Sequence, residues 1–313
     1  MSVRDATHAG TWYSSDPTVL ERELNTWLDA AQTTPHPTVN EHGLQEPAVA
    51  QHPIVQGCKC IIAPHAGYRF SGPSAAWSYG CVDSASIDRV FVFGPSHRTY
   101  LEGLALSPFT KLATPLGNLD VDVNVNKQLH ATSRIPFMSR AVDEAEHSLE
   151  MQYPYLAKVL RGRSVKVIPV LVGALNTKLA QEYASQVFAT HARDLRTLFV
   201  FSSDFCHWGE RFDYCYYCAQ GDEPMHLACS TPVQYYARTP IYASIQGLDA
   251  EAMEAISTRP ASVAVAQFEA YMRRTHNTIC GRGPILLMLV LLALLETEGK
   301  HHVSEQCVHN AVR

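Results

Sequence analysis

The amino-acid sequence predicts an α/β domain with a mainly parallel central sheet flanked by helices. Two observations carry this. Four short runs, "CKCIIAPHAG", "RVFVFGPSH", "VKVIPVLVGA" and "RTLFVFSSDFCH", have the apolar, β-branched and aromatic content of buried strands. Stretches with helical character lie between them, so strand and helix alternate along the chain.

The elements follow in order. Asp16 is placed to cap a first helix with Pro17 at its first position, and Leu20, Leu24, Trp27 and Leu28 fall on one face. Residues 33–57 hold prolines and polar residues with little periodicity, and are expected to form an exposed loop or insertion. Cys58 and Cys60 alternate along the next strand and so face the same side, into the core. Helices are predicted over 71–80, over 148–160 with Pro154 bending or ending it, and over 177–193. Residues 105–125 include "TPLGNLDVDVNV", whose alternation reads as an antiparallel or edge strand. Residues 218–247 read as irregular and 249–275 as two helices broken at Pro260. The apolar run 285–295 is too short to span a bilayer and reads as a core helix. No repeat, low-complexity tract or clear linker divides the chain. A single domain over 1–313 is therefore expected, with 296–313 as an atypical tail.

Composition excludes some classes of function. The net charge of -5 and pI near 6.3 leave no basic stripe to neutralise phosphates, so a nucleic-acid partner is not expected. The first residues, "MSVRDATHAGTWYSSD", lack the apolar segment of an export signal, and no run is long enough for membrane insertion. Nine cysteines without such a signal argue for reduced thiols and a cytoplasmic protein.

In a parallel sheet, ligands bind beyond the carboxyl ends of the strands. His65 in "APHAGYRFSG", His97 in "GPSHR", and Asp204 and His207 in "SSDFCHWG" all follow strands at that end. They are candidates for one shared site. Single imidazoles at strand ends are often hydrogen-bonded loop residues; two with the same placement point to metal ligation. Asp204 and His207 are three apart, so a helical turn there would let Asp204 orient His207 as a general acid or base. The other reading of the pair is a helix cap beside a packed His–Trp contact. Cys280, in "HNTICGRGP", precedes a very apolar helix whose N-terminus favours thiolate, while a small buried hydrophobe fits the position equally well. Glu146, His147 and Glu150 lie beside a helix start but lack the second histidine of a zinc motif, which makes His147 a support behind the ligands or pocket wall. Cys215 and Cys218 form one C-x-x-C without a second pair, so a zinc site is not expected there. No phosphate-binding glycine motif and no G-x-S-x-G elbow are present.

Seven blocks resemble the Memo family, in its order: "HAGTWY" (8–13), "IIAPHAGY" (61–68), "GPSH" (94–97), "DEAEHSLEMQYPY" (143–155), "IPVLVGAL" (168–175), "SSDFCHWG" (202–209) and "HNTICGRGP" (276–284). That family of cell-motility mediators is similar in fold to class III extradiol dioxygenases. The resemblance implies that His65, His97 and Cys280 hold one iron or copper ion, with Asp204 and His207 completing the pocket and Trp12 and Tyr68 lining its mouth. It also implies redox activity and binding of phosphotyrosine-containing receptor peptides. Phe70 stands where an aromatic hydroxyl is expected, and the family's closing strand motif is not recognisable after Leu295.

Two functions follow as expectations. One is a metal-dependent oxidoreductase, with thiolate softness favouring copper or covalent iron over ordinary dioxygenase chemistry, acting on an unknown small-molecule substrate. The other is a non-catalytic signalling adaptor that binds phosphotyrosine peptides or anions in a vestigial pocket.

Overall fold

The computed structural model describes residues 2–33, 54–219, 223–228, 231 and 239–299, with the backbone alone for 36–39 and 45–49. Along the chain, β1 (Val3–Arg4) is followed by α1 (Pro17–Thr33), the paired strands β2 (His36–Val39) and β3 (Gln45–Val49), β4 (Cys60–Ala63), α2 (Tyr68–Gly80) and β5 (Arg89–Pro95). Next come β6 (Leu104–Leu106), β7 (Lys111–Leu112), β8 (Leu119–Val121), α3 (Val123–Ser133), α4 (Arg140–Ala145), α5 (His147–Glu150) and α6 (Tyr153–Val159). The second half holds β9 (Lys166–Val172), α7 (Thr177–Tyr183), α8 (Ala189–Arg193), β10 (Thr197–Ser202), β11 (Tyr216–Tyr217) and β12 (Met225–His226). Helices α9 (Ile241–Ser257), α10 (Ala261–Thr275) and α11 (Arg282–Thr297) follow.

The main sheet runs β1-β7-β8-β9-β5-β10-β4, with β6 antiparallel beside β9. Its centre, β9-β5-β10-β4, is parallel throughout, and these are the four strands predicted from the sequence. Strand β10 sits between β4 and β5, so the loops carrying His65 and His97 flank the loop carrying Asp204 and His207. Residues two apart share a sheet face. Phe91 and Phe93 of β5 thus stack on their register partners Phe199 and Phe201 of β10, at 5.2 and 5.0 Å between ring centroids. Phe188 closes edge-on over this aromatic layer. Helix α11 packs on β5 and β10, while α2 and α5 pack on β4 and β5. Because α11 is covered by sheet and helices, it is apolar nearly all round. Among the described residues, no helix is long and apolar enough to cross a membrane.

Several boundaries differ from the sequence reading. Asp16 does cap α1, its Oδ1 accepting the N–H groups of Thr18 and Val19 at 2.8 and 3.0 Å. The stretch 105–125 is three short strands, and Asp122 caps a helix that begins inside it, accepting the Val125 N–H at 3.1 Å. The alternating residues were therefore partly a helix start. Residues 148–160 form two helices that break at Met151 and Gln152, before Pro154; a proline in the first turn starts α6 instead of ending a helix. Helix α9 reaches back to Ile241, inside the stretch read as irregular. Within 33–57, β2 and β3 pair as an antiparallel ribbon, and most of the remainder lies outside the described residues. So does the tail beyond 299.

Candidate metal centre

Three side chains from distant parts of the chain converge beyond the ends of the central strands. Nitrogens of His65 and His97 and the sulfur of Cys280 all lie within 4.8 Å of one another. His65 follows β4 and His97 follows β5; Cys280 arrives from the opposite layer, just before α11. The approach of α11 depends on Gly281, since a Cβ there would stand 2.2 Å from Ser203 Cβ and 2.6 Å from the Ser202 carbonyl oxygen. Gly94 serves β5 in the same way. A Cβ at that position would meet Ser148 Oγ at 2.4 Å, so glycine lets α5 cross close to the strand that delivers His97.

The hydrogen bonds settle which nitrogen of each imidazole is free. Gln152 Nε2 donates to the Pro64 carbonyl at 3.0 Å and to Ser202 Oγ at 2.9 Å. Ser202 in turn donates its only hydrogen to the Ser148 carbonyl at 2.7 Å. The remaining lone pair of Ser202 Oγ, 2.7 Å from His65 Nδ1, therefore accepts an N–H from that nitrogen. His65 Nε2 is left with its lone pair, 3.0 Å from the Cys280 sulfur. His97 is fixed by a carboxylate instead. Glu146 accepts the His97 backbone N–H at 2.7 Å and Nδ1–H at 2.9 Å, so in the neutral ring the lone pair is on Nε2. Two imidazoles thus present free Nε2 lone pairs beside one thiol, with each opposite nitrogen hydrogen-bonded, as metal-ligating histidines are.

The electrostatics suit a cation. Burial lowers the His65 imidazole to about 4, against the pull of Asp204, so the ring is neutral near pH 7. Burial alone raises the Glu146 carboxyl, but the side-chain and backbone hydrogen bonds from His97 outweigh it and hold Glu146 ionised. Of the two readings open for Cys280, thiolate is the one that the surroundings oppose. Burial, reinforced by Asp204, pushes its thiol well above the usual range, although the N–H of Asp204 donates to the sulfur at 3.3 Å. Desolvation of the charged form outweighs the helix N-terminus when no cation is near. The Cys280 sulfur lies 3.0 Å from His65 Nε2 and 3.4 Å from the Asp204 carbonyl oxygen, either of which can accept the thiol hydrogen, and a metal ion would displace that proton.

The other predicted residues take places the sequence did not define. Asp204 does not touch His207 through any bond of its carboxylate. Its Oδ1 accepts the N–H groups of His65 and Ala66 at 2.8 and 3.2 Å, tying the β4 loop to the β10 loop. His207 is oriented by Thr278, whose Oγ1 accepts the His207 N–H at 2.7 Å and whose carbonyl accepts Nδ1–H at 3.0 Å. The chain after Ser202 forms no helical turn before His207, so spacing of three does not align the pair. His147 is half-buried and stacks between His97, at 4.4 Å and 27°, and Trp12, at 4.5 Å and 34°. Its Nδ1 has no hydrogen-bond partner and lies 3.5 Å from Glu146 Oε1. Tyr68 is not at a mouth: it is 2% exposed, its hydroxyl donates to the Met151 carbonyl, and its ring meets Tyr13, Trp27 and Tyr155. As the first residue of α2, it packs beneath α1 and α6 instead of beside the histidines. Phe70 is exposed, with the Arg69 guanidinium 4.3 Å above its ring centroid. Cys206 is half-buried and packs against the core. Cys215 and Cys218 belong to neither of the two groups of ligand-type side chains that converge among the described residues.

Sequence reasoning missed Glu146, Ser202, Gln152 and Thr278 as supports. Each acts across 49 residues or more, and none carries a spacing pattern that could have disclosed it.

The chain matches the model of the Memo-like protein family over residues 4–309. It belongs to the Memo family. It is 39% identical to Protein memo-1 homolog of Caenorhabditis elegans over 287 residues, which is 92% of this chain and 70% of the relative. Protein MEMO1 of Xenopus laevis is 39% identical and that of Homo sapiens 37% identical, each over 298 residues, covering 95% of this chain and 86% of the relative. The single α/β domain with its mostly parallel sheet is the Memo fold.

Proposed function

We propose that this Memo-family chain holds one iron or copper ion at His65 Nε2, His97 Nε2 and Cys280 Sγ, in a dioxygenase-like pocket with a redox role. The observation that carries the reading is the pair of Nε2 lone pairs, each backed by a hydrogen bond on Nδ1, beside a half-buried thiol. Bound there, the ion supplies one-electron chemistry and open positions for a small molecule, and the soft sulfur favours copper or covalent iron. Asp204 holds the His65 loop in place and donates its N–H to the Cys280 sulfur. His207, with Nδ1–H fixed on the Thr278 carbonyl, keeps Nε2 as a proton acceptor, the role of acid or base that we assign to it.

The chain's own setting supports a cytoplasmic location. Cys81, Cys206, Cys215 and Cys280 are free thiols, as expected of a reducing compartment. The test is metal analysis of protein purified without added metal, alongside His65→Ala and Cys280→Ser. Both variants are expected to lose the ion. Metal content unchanged in both overturns the reading.

A second reading, signalling through phosphotyrosine-containing receptor peptides, rests on a different observation. Exposed arginine and aromatic residues follow the three strand-end loops: Arg69 and Phe70, Arg98 and Tyr100, Arg211 and Phe212. Guanidinium groups beside aromatic faces suit an aryl phosphate. Titration of a phosphotyrosine peptide against its unphosphorylated form decides it, with equal affinity for both overturning it.

A further inference from the structure

We infer that Glu146 is the positioning residue of the metal centre, and that it makes His97 the dominant nitrogen ligand while His65 is held more weakly. The inference rests on the metal reading above but has a readout that does not need the metal. The two imidazoles are backed by different chemistry. His65 Nδ1 meets a neutral serine hydroxyl that is already shared between Gln152 and the Ser148 carbonyl. His97 Nδ1 meets a fully buried carboxylate whose other oxygen takes the backbone N–H of the same residue. Glu146 therefore clamps both ends of His97, its ring and its main chain.

The clamp is itself held. Glu146 is the N-cap of α5, and its Oε1 also accepts the Ser148 N–H at 3.0 Å. Helix α5 is seated against β5 through Gly94, and the Ser148 hydroxyl donates to the Pro95 carbonyl at 2.8 Å, two residues before His97. The carboxylate is thus placed by the strand end that it serves. An N–H shared with an anion leaves the far nitrogen more basic than one shared with a hydroxyl, which strengthens its bond to a cation. Exposure argues for the same need. The His97 side chain is 27% exposed against 1% for His65, so packing alone does not hold it.

Glu146→Gln is the informative change because it is isosteric. A glutamine has one accepting oxygen, so either the Nδ1–H or the backbone N–H of His97 then faces an amide donor. Nitrogen NMR of the metal-free protein, labelled at histidine, is expected to show His97 as the Nδ1–H tautomer in the native chain and a mixed tautomer in Glu146→Gln. Affinity for ferrous or cuprous ion, measured by chelator competition, is expected to fall tenfold to a hundredfold in Glu146→Gln. It is expected to fall less in Ser202→Ala. In a His97→Ala background the Glu146→Gln effect on affinity is expected to vanish, which a merely structural role would not produce. An Nε2–H tautomer of His97 in the native metal-free chain overturns the inference even where the variant does not fold. So does an additive effect of the two changes, or a larger loss in Ser202→Ala. Failure of the native chain to bind metal would sink the proposed function alone, leaving the tautomer to decide the role of Glu146.

Discussion

At the residue scale, the centre depends on positions where a missing side chain matters as much as the ligands. Cys280 reaches the histidines because Gly281 lets the start of α11 lie against Ser202 and Ser203. Gly281→Ala forces a methyl group against backbone, a contact that rotamer changes cannot relieve. The expected cost is about 1–3 kcal/mol, the usual range for overpacking a close contact. A drop in denaturation midpoint together with weaker metal binding checks this, and native stability would contradict it. The candidate ligands were legible: His65 and His97 stood out because each follows a buried strand, where the Gly or Pro of a turn displays the side chain. Thr278 was not legible as the partner of His207, since a threonine beside a loop cysteine has no distinguishing pattern.

At the scale of elements, the N-terminal segment is fastened across the site by one buried carboxylate. Glu150, in α5, accepts the His8 N–H and Tyr13 hydroxyl at 2.8 Å each, and its other oxygen accepts from Arg4 and from His8 Nδ1. Arg4 is shared with Asp143 and is completely buried. The segment so anchored carries Trp12, which stacks on His147. Burial alone raises the Glu150 carboxyl, but the His8 hydrogen bond and the Arg4 charge outweigh it and hold it down to about 2. A depressed carboxylate contributes stability that is present above its unfolded value, about 4.3, and is lost as pH falls toward 2. Melting temperature is therefore expected to fall between pH 5 and pH 2. Glu150→Gln is expected to flatten that dependence while lowering stability near pH 7 by about 3 kcal/mol, because Arg4 loses one of its two anions. An unchanged pH slope in the variant would contradict the assignment. The long helices and central strands were readable from apolar runs and caps. The breaks at Met151–Gln152 and at Asp122 were not, because local periodicity does not report where another element crosses.

At the scale of the whole molecule, the proposed centre draws its three residues from two layers. His65 and His97 ride on the sheet, while Cys280 rides on the helix layer that packs on β5 and β10. An ion held by all three crosslinks sheet to helix and favours the folded state alone. At free ion about a hundred times Kd, the added stability is expected to be about 2.7 kcal/mol. Thermal melts with and without added metal check this. A rise in Tm is expected for the native chain and none for Cys280→Ser; equal rises in both would place the ion elsewhere.

The sequence by itself determined the parallel sheet, the helices that flank it, the family, and the ligand candidates at the strand ends. These are properties of short runs, where apolar content, caps and turn residues act within a few positions. Only the tertiary structure decided that Tyr68 belongs to the core, that Asp204 serves the His65 loop instead of His207, and that Glu146 backs His97. Those outcomes depend on which strands are neighbours and how closely α5 and α11 approach them. At Cys280 the exclusion of water opposes the helix N-terminus and raises the thiol, and no count of residues along the chain measures that exclusion.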